Sequence, residues 1–232
     1  QVDTITIFVL LTGTLLTLAF AARDRAPQLD TQGVEVLAGE MPHGFVLFAG
    51  LVVMAAFLAE AASEGWSALH IERTLGGAPG EGALGPAMMG LTMGIGRLSG
   101  HWLARRLRDT TLMLMAMLMS SVGLLLAGVA GSVAVALAGF AVAGLGISVV
   151  APLALALVGR IVPRDQRLAA ISRTSVLGYG AFFFGPPLMG LVSQAFGLRS
   201  AFVVVAALLC ITALLLIPTL RRRSEQVPRP PS

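Results

Sequence analysis

Residues 110–159 contain no Asp, Glu, Lys or Arg. A stretch of that length cannot lie on a water-facing surface. As one straight helix it would extend roughly 75 Å, more than twice the ~30 Å hydrocarbon core of a bilayer. It therefore has to fold back on itself within an apolar medium, and GVAGSVA at 128–134 supplies the break. Composition agrees, because 56% of the 232 residues are hydrophobic and only 12% charged, against roughly a quarter charged in soluble domains. Disorder is excluded, since the apolar content is high and the net charge is only +4. All 16 basic residues are Arg, and they sit at the ends of apolar runs rather than along one face. That pattern speaks against a nucleic-acid surface. Cys210 stands alone, so no intrachain disulfide is available.

The other apolar runs are shorter. Residues 4–22 (TITIFVLLTGTLLTLAFAA) carry no charge and end at Arg23-Asp24-Arg25. A second run opens at Pro42, covers Ala59 and continues past Glu60 towards Trp66. A third, weaker run spans about Ala83–Leu103 and contains Arg97; residues 174–198 and 200–220 give two more, separated by Phe196-Gly197-Leu198-Arg199. With two helices from the charge-free stretch, seven spans are expected, each near the 20 apolar residues a crossing needs. A signal peptide is the alternative for the first run, with Ala19-Phe20-Ala21 as a cleavage site, but the segment opens on Asp3 and lacks a positive leader. Because the chain opens on Gln1 rather than Met, it is expected to begin within a longer protein.

Arg clusters at 23/25, 105/106/108, 160/164/167 and 221–223 alternate with loops that carry Asp3, Glu64/Glu72/Arg73/Glu81, no charge, and Arg199. Short cytoplasmic loops retain positive charge. The first residues are therefore expected outside and the last ones in the cytoplasm, in a multi-pass protein of the cell (inner) membrane. The expected division is a transmembrane helix at 1–22, a cytoplasmic linker at 23–41, a helical bundle at 42–220 and a disordered cytoplasmic tail at 221–232.

Ionisable groups inside a bilayer are costly, which makes each a functional candidate. Arg97, among Gly94, Gly96 and Gly100, either pairs with a carboxylate or carbonyls on a neighbouring helix at a gate, or snorkels to the inner headgroups. Glu60 and Glu64 share a helix face. They could carry a proton or bind a cation, or they simply mark the outer boundary beside Trp66. His70 and His101 titrate near neutral pH or serve as interfacial polar groups. Gly178-Tyr179-Gly180 and Gly185-Pro186-Pro187 fall near the centre of the sixth span, where two prolines remove two backbone donors. Gly144-Leu145-Gly146 and Pro152 weaken the fifth span at similar depth. Interrupted helices that meet at the midplane are what secondary transporters use as sites and hinges; in an inert bundle they would only be kinks. The fourth and seventh spans carry no ionisable group and read as lipid-facing scaffold. Their methionines read as soft packing rather than a metal stripe. No HExxH, CxxC, P-loop or GxSxG motif occurs, so no enzyme chemistry, cofactor or metal is expected.

Gly96-Arg97-Leu98-Ser99-Gly100-His101-Trp102-Leu103-Ala104-Arg105-Arg106 resembles the loop motif of the major facilitator superfamily, in its form between helices 8 and 9. Glu60…Trp66-Ser67-Ala68-Leu69 and Gly178-Tyr179…Gly185-Pro186-Pro187…Gly190 resemble helices 7 and 11 of a poorly characterised bacterial branch. That branch lies near the sugar permeases and includes the membrane protein of rhizopine clusters. This chain departs from its pattern at His101 and Gly65, where acidic residues are usual, and at Arg108, where Gly is usual. The resemblance implies helix 6 plus the six-helix C-terminal half of a twelve-helix fold, with the N-terminal half as the missing partner. It implies that the second and fifth spans line a cavity, that the third and sixth pack on the absent half, and that the fourth and seventh face lipid. It also implies alternating access, coupled to protons, for a small solute. Gly96, Arg97, Gly100, His101 and Arg106 would then form the gating loop; Glu60, Glu64 and Tyr179 would lie on the substrate or proton pathway; Gly146, Pro152, Gly185, Pro186 and Pro187 would be hinges. Two alternatives remain. One is a seven-helix receptor, although a retinal Schiff base needs a Lys and none is present; the other is a non-transporting scaffold. The scarcity of cavity charges favours neutral or weakly polar solutes such as sugars.

Overall fold

The computed structural model describes residues 41–226, and all regular structure among them is helical. The helix expected over 1–22, the linker up to residue 40 and the last six residues of the tail lie outside the described residues. Helix α1 covers His43–Leu69 and continues as a π-helical turn, His70–Thr74. A short α2 (Pro79–Gly82) leads into α3 (Leu84–Ala104) and α4 (Asp109–Val129). Helices α5 (Val133–Ile147) and α6 (Val150–Ile161) follow almost end to end. Helix α7 runs Arg167–Ile211, and a second π-helical turn, Thr212–Leu216, joins it to α8 (Ile217–Gln226).

The charge-free stretch folds back as its length requires. Helix α4 stops at Val129 and α5 starts at Val133, with Ser132 Oγ accepting a hydrogen bond from the Val135 amide. Asp109 and Arg160, the two charges that bound the stretch, form an ion pair. Each sits where it also complements a helix dipole, Asp109 in the first turn of α4 and Arg160 in the last turn of α6. Between those ends the helices meet along a small-residue seam, with Ala116, Ser120, Gly123 and Ala127 of α4 facing Gly139, Ala143 and Gly146 of α5. Ser120 Oγ donates to the Ala143 carbonyl at 2.8 Å. Small residues at this spacing let backbones approach where lipid offers no hydrophobic drive for association.

Pro152 explains the interruption between α5 and α6. It has no N–H to give the Ser148 carbonyl one turn earlier, and regular helix lapses at Ser148 and Val149. The expected break at Gly185-Pro186-Pro187 is not where the chain bends. Helix α7 continues through both prolines, and its non-helical residue is Gly197, with φ 83° and ψ 163°. Gly185 is buried against α1 near Leu58 and Ala61, while both prolines are exposed. A backbone pair such as that of Gly197 is essentially closed to residues with a Cβ.

The direction of α7 reverses at Gly197. Before it, Leu177 packs on Gly50, Gly178 on Val53, Gly185 on Leu58 and Gly190 on Trp66, so the helix runs parallel to α1. After it, Phe202 lies against His70 and Arg223 over Phe48, so the chain runs back. The segment expected as a disordered tail is helical through Gln226, because Arg223 stacks 4.8 Å above the Phe48 ring and Arg221 pairs with Glu225 one turn on.

Among the described residues, four stretches are long and apolar enough to cross a membrane, namely His43–Thr74, Asp109–Val129, Val133–Ile161 and Arg167–Glu225. At 59 residues the last is roughly 90 Å of helix, about three times the hydrocarbon core. The contacts also sort the charges. Arg108, Arg160, Arg164, Arg167 and Arg173 share one end with residues 41–48 and 221–225. Glu72, Glu81 and Arg199 lie at the other, with the turns around His70, Ala127 and Gly85.

Candidate functional site

One face of α1 carries Phe57, Glu60 and Glu64, three and four residues apart. The matching face of α7 carries Tyr179, Phe182 and Pro186. The other face of α7, with Gly178, Ala181, Gly185 and Met189, is buried, mostly on α1, and this close approach brings the two faces side by side. Tyr179 stacks on Phe57 at 5.4 Å between centroids and 24° between planes. Phe182 closes the cluster at 5.6 Å from Phe57 and 6.2 Å from Tyr179. Tyr179 is 60% exposed, and Phe182, Phe183 and Phe184 are exposed too, so this edge of the bundle is uncovered among the described residues.

Glu60, half-buried one turn along from Phe57, lies within Coulombic range of Glu64 on its own helix and Arg97 on α3. Glu60 and Arg97, singled out separately in the sequence, are therefore near enough to interact electrostatically across α1 and α3, without an ion pair between them. Prolines 186 and 187 leave the Phe182 and Phe183 carbonyls without their helical donors. Lipid cannot satisfy such carbonyls, so that side of α7 requires protein or water.

The loop-motif glycines have a packing role. Gly96 abuts Ser148 and the Leu145 carbonyl, and Gly100 abuts Val149, so α3 lies directly against the α5–α6 junction. Thr92 and Gly144 extend that contact. Arg97 projects from the exposed face of α3. Arg106 stacks over Trp102 at 4.5 Å. His101 belongs to α3, and its side chain lies outside the described residues. The remaining hinge candidates lie apart: Gly146 in the seam against Ser120, Pro152 exposed on α6.

His70 is fully buried and serves as a helix cap. Its Nε2 lies 3.0 Å from the Ala127 carbonyl, and its ring packs 5.1 Å from Phe202. Arg199 donates to the Val129 carbonyl at 3.3 Å. Together they add side-chain donors at the C-terminal end of α4, where the Ala127 carbonyl also accepts from the Ala130 amide at 3.4 Å.

Sequence reasoning missed several residues of this region. Phe57 and Phe182, which join Glu60 to Tyr179, are ordinary apolar residues in apolar helices; their signal was only helical spacing from Glu60 and Pro186. A second cavity of about 470 Å³, at the Arg-rich end between α1 and α7, is lined by His43, Val46, Leu47, Ser172, Arg173, Val176 and Leu177. Arg173 Nη1 there donates to Met41 Sδ at 3.0 Å. Ser172-Arg173-Thr174-Ser175, a polar run inside an apolar helix, was a readable signal for it.

Long apolar helices that reverse direction and carry isolated charges define a polytopic membrane protein. Residues 41–232 match the Major Facilitator Superfamily, and the chain belongs to that family of membrane transporters. It is 32% identical over 172 residues to an uncharacterised MFS-type transporter of Yersinia pestis, covering 74% of this chain and 44% of that protein. It is 29% identical over 194 residues to the membrane protein MosC of Rhizobium meliloti, covering 81% of this chain and 46% of that protein. The chain thus spans less than half the length of the curated relatives it matches. The Escherichia coli fucose:proton symporter FucP shares its fold with a TM-score of 0.67 at 21% identity, over 77% of this chain and 42% of that one. A peptide transporter POT in complex with sulfate does so at 0.69 and 17%, over 85% and 42%. The family expected from the loop motif is the one found.

Proposed function

We propose that this chain is helix 6 and the C-terminal six-helix half of a twelve-helix secondary active transporter, which moves a small solute across the inner membrane by alternating access with proton coupling. The observation that carries this reading is the meeting of α1 and α7. A half-buried carboxylate, Glu60, stands there beside an exposed aromatic cluster and two carbonyls freed by prolines. Lipid would tolerate neither the carboxylate nor the freed carbonyls, whereas a watery pathway between two halves uses them all.

In this reading Glu60 carries the proton and Arg97 biases its release. Tyr179 and Phe57 offer flat apolar surface to a neutral or weakly polar solute. Glu64, nearer water, has no part in coupling. The glycines that seat α3 on the α5–α6 junction let the half rock as one body, with the Arg-rich end in the cytoplasm. Family membership supports a carrier rather than an enzyme. FucP, a sugar–proton symporter by its description, supports proton coupling and a sugar-like solute.

Flux into vesicles reconstituted with the protein from its complete gene tests the proposal. A pH gradient should drive accumulation of one member of a panel of sugars and polyols, and Glu60→Gln should abolish accumulation while leaving exchange of labelled for unlabelled solute. No flux of any candidate with or without a gradient would refute it and favour a receptor or scaffold.

A further inference from the structure

Helices α3 and α4 are joined by the short turn 105–108, yet they hardly touch along their length. The gap between them is a cavity of about 360 Å³, floored by Leu145 and Val149 and walled by Gly100, Leu103, Leu112 and Met115. Its lining is almost wholly apolar. Four methionines on α4 divide around it: Met113 and Met117 are buried in the bundle, whereas Met115 and Met119 line the cavity and are 55% and 40% exposed. Empty apolar space of this size, inside the range of ligand pockets, calls for an apolar occupant.

The neighbouring turn says what kind. Leu103 and Leu112 line the cavity on either side of a segment that carries Arg105, Arg106 and Arg108. Its lone carboxylate, Asp109, is paired with Arg160. Arg106 and Arg108 are exposed, and Trp102, 58% exposed, holds the Arg106 guanidinium over its ring. Guanidinium groups bind phosphate in bidentate fashion, and basic side chains beside a membrane surface select anionic lipid. We propose that this groove is a binding site for one anionic phospholipid, its acyl chain in the gap between α3 and α4 and its phosphate held by Arg106 and Arg108. The site rests on the reading of α3 and α4 as membrane-spanning. It lies apart from the Glu60–Tyr179 region, so its occupant is a lipid ligand and not the transported solute.

Trp102 is the reporter, with this chain's other Trp, Trp66, and any Trp outside the chain replaced by Phe. The Trp66→Phe protein is placed in nanodiscs containing acyl-brominated phosphatidylglycerol or phosphatidylcholine at equal mole fractions, and its fluorescence is normalised to unbrominated lipid. Half-maximal quenching by phosphatidylglycerol should need about one fifth of the mole fraction or less, given the contribution per Arg near a membrane surface. Arg108→Gln, which leaves the Trp102 stack intact, should reduce the preference about five-fold. Ser99→Phe, on an exposed lining position, should weaken quenching by both lipids. Equal quenching, a preference that survives Arg106→Gln/Arg108→Gln, or its loss to inorganic phosphate would each overturn the site. So would absent quenching at Trp102 while Trp66 in the Trp102→Phe protein is quenched, because a protein element would then cover the groove. Absent quenching at both tryptophans would instead refute the membrane-spanning reading.

Discussion

Adding one methyl group at Gly139 probes the contact on which the α4–α5 hairpin depends. In Gly139→Ala the new carbon would lie 2.5 Å from Ala127 N and 2.7 Å from the Gly123 carbonyl oxygen, both on the facing helix, whereas ordinary contact begins near 3.4 Å. Since backbone atoms cannot rotate away, the helices must separate by about 0.9 Å at this level, an overpacking that costs about 1–3 kcal/mol. The same movement stretches the Ser120–Ala143 hydrogen bond, 2.8 Å in the native seam, and loses about 0.6 kcal/mol more. Ala offsets some of this through helix propensity, by about 1 kcal/mol. Gly90→Ala in α3, where a Cβ would meet nothing within 4 Å, has the propensity gain alone. The two variants should therefore differ by about 2–4 kcal/mol. Thermal unfolding in detergent, followed by circular dichroism at matched scan rates, reads the difference, with Gly139→Ala melting well below both the parent and Gly90→Ala. If Gly139→Ala melts with Gly90→Ala, the seam is not the tight backbone contact argued above.

Three further outcomes follow from other parts of the structure. Gly197→Ala should destabilise by about 1–3 kcal/mol in the same melting assay, while Pro187→Ala, which returns a helical donor to the Phe183 carbonyl, should melt at or above the parent. His70→Phe keeps the ring packed on Phe202 but removes the imidazole donor from the Ala127 carbonyl, which retains the Ala130 amide, for a loss of about 0.5–1.5 kcal/mol. In vesicle flux, Glu60→Gln should lose gradient-driven accumulation while Glu64→Gln retains it; equal effects would remove Glu60 from the coupling role.

Much of the architecture was legible because bilayer physics constrains sequence strongly. The charge-free run 110–159 could only fold back, and Asp109 and Arg160 at its two ends meet. Pro152 lies one turn from a real interruption, because a missing amide acts on the carbonyl four residues earlier. Pro186 and Pro187 remove backbone donors without ending α7, and the chain bends at Gly197 instead, where the backbone has φ 83°. The tail looked solvated by composition, yet Arg223 found the Phe48 ring. His70 read as an interfacial group, since nothing local announces that its ring meets a carbonyl 57 residues away. Of the candidate site, Glu60, Arg97 and Tyr179 were visible as exceptions in apolar helices. That Phe57 links two of them depends on the register of α1 against α7, which a single sequence does not encode locally.

Sided labelling of single cysteines, introduced after Cys210→Ala, tests the membrane arrangement most directly. With the protein in intact cells, Leu107→Cys in the Arg-rich turn should react with an impermeant maleimide only after the membrane is permeabilised, and Gly80→Cys at the opposite end should react before it. Reaction of both positions under the same condition would place the two ends in one compartment and contradict a chain that threads the bilayer as described.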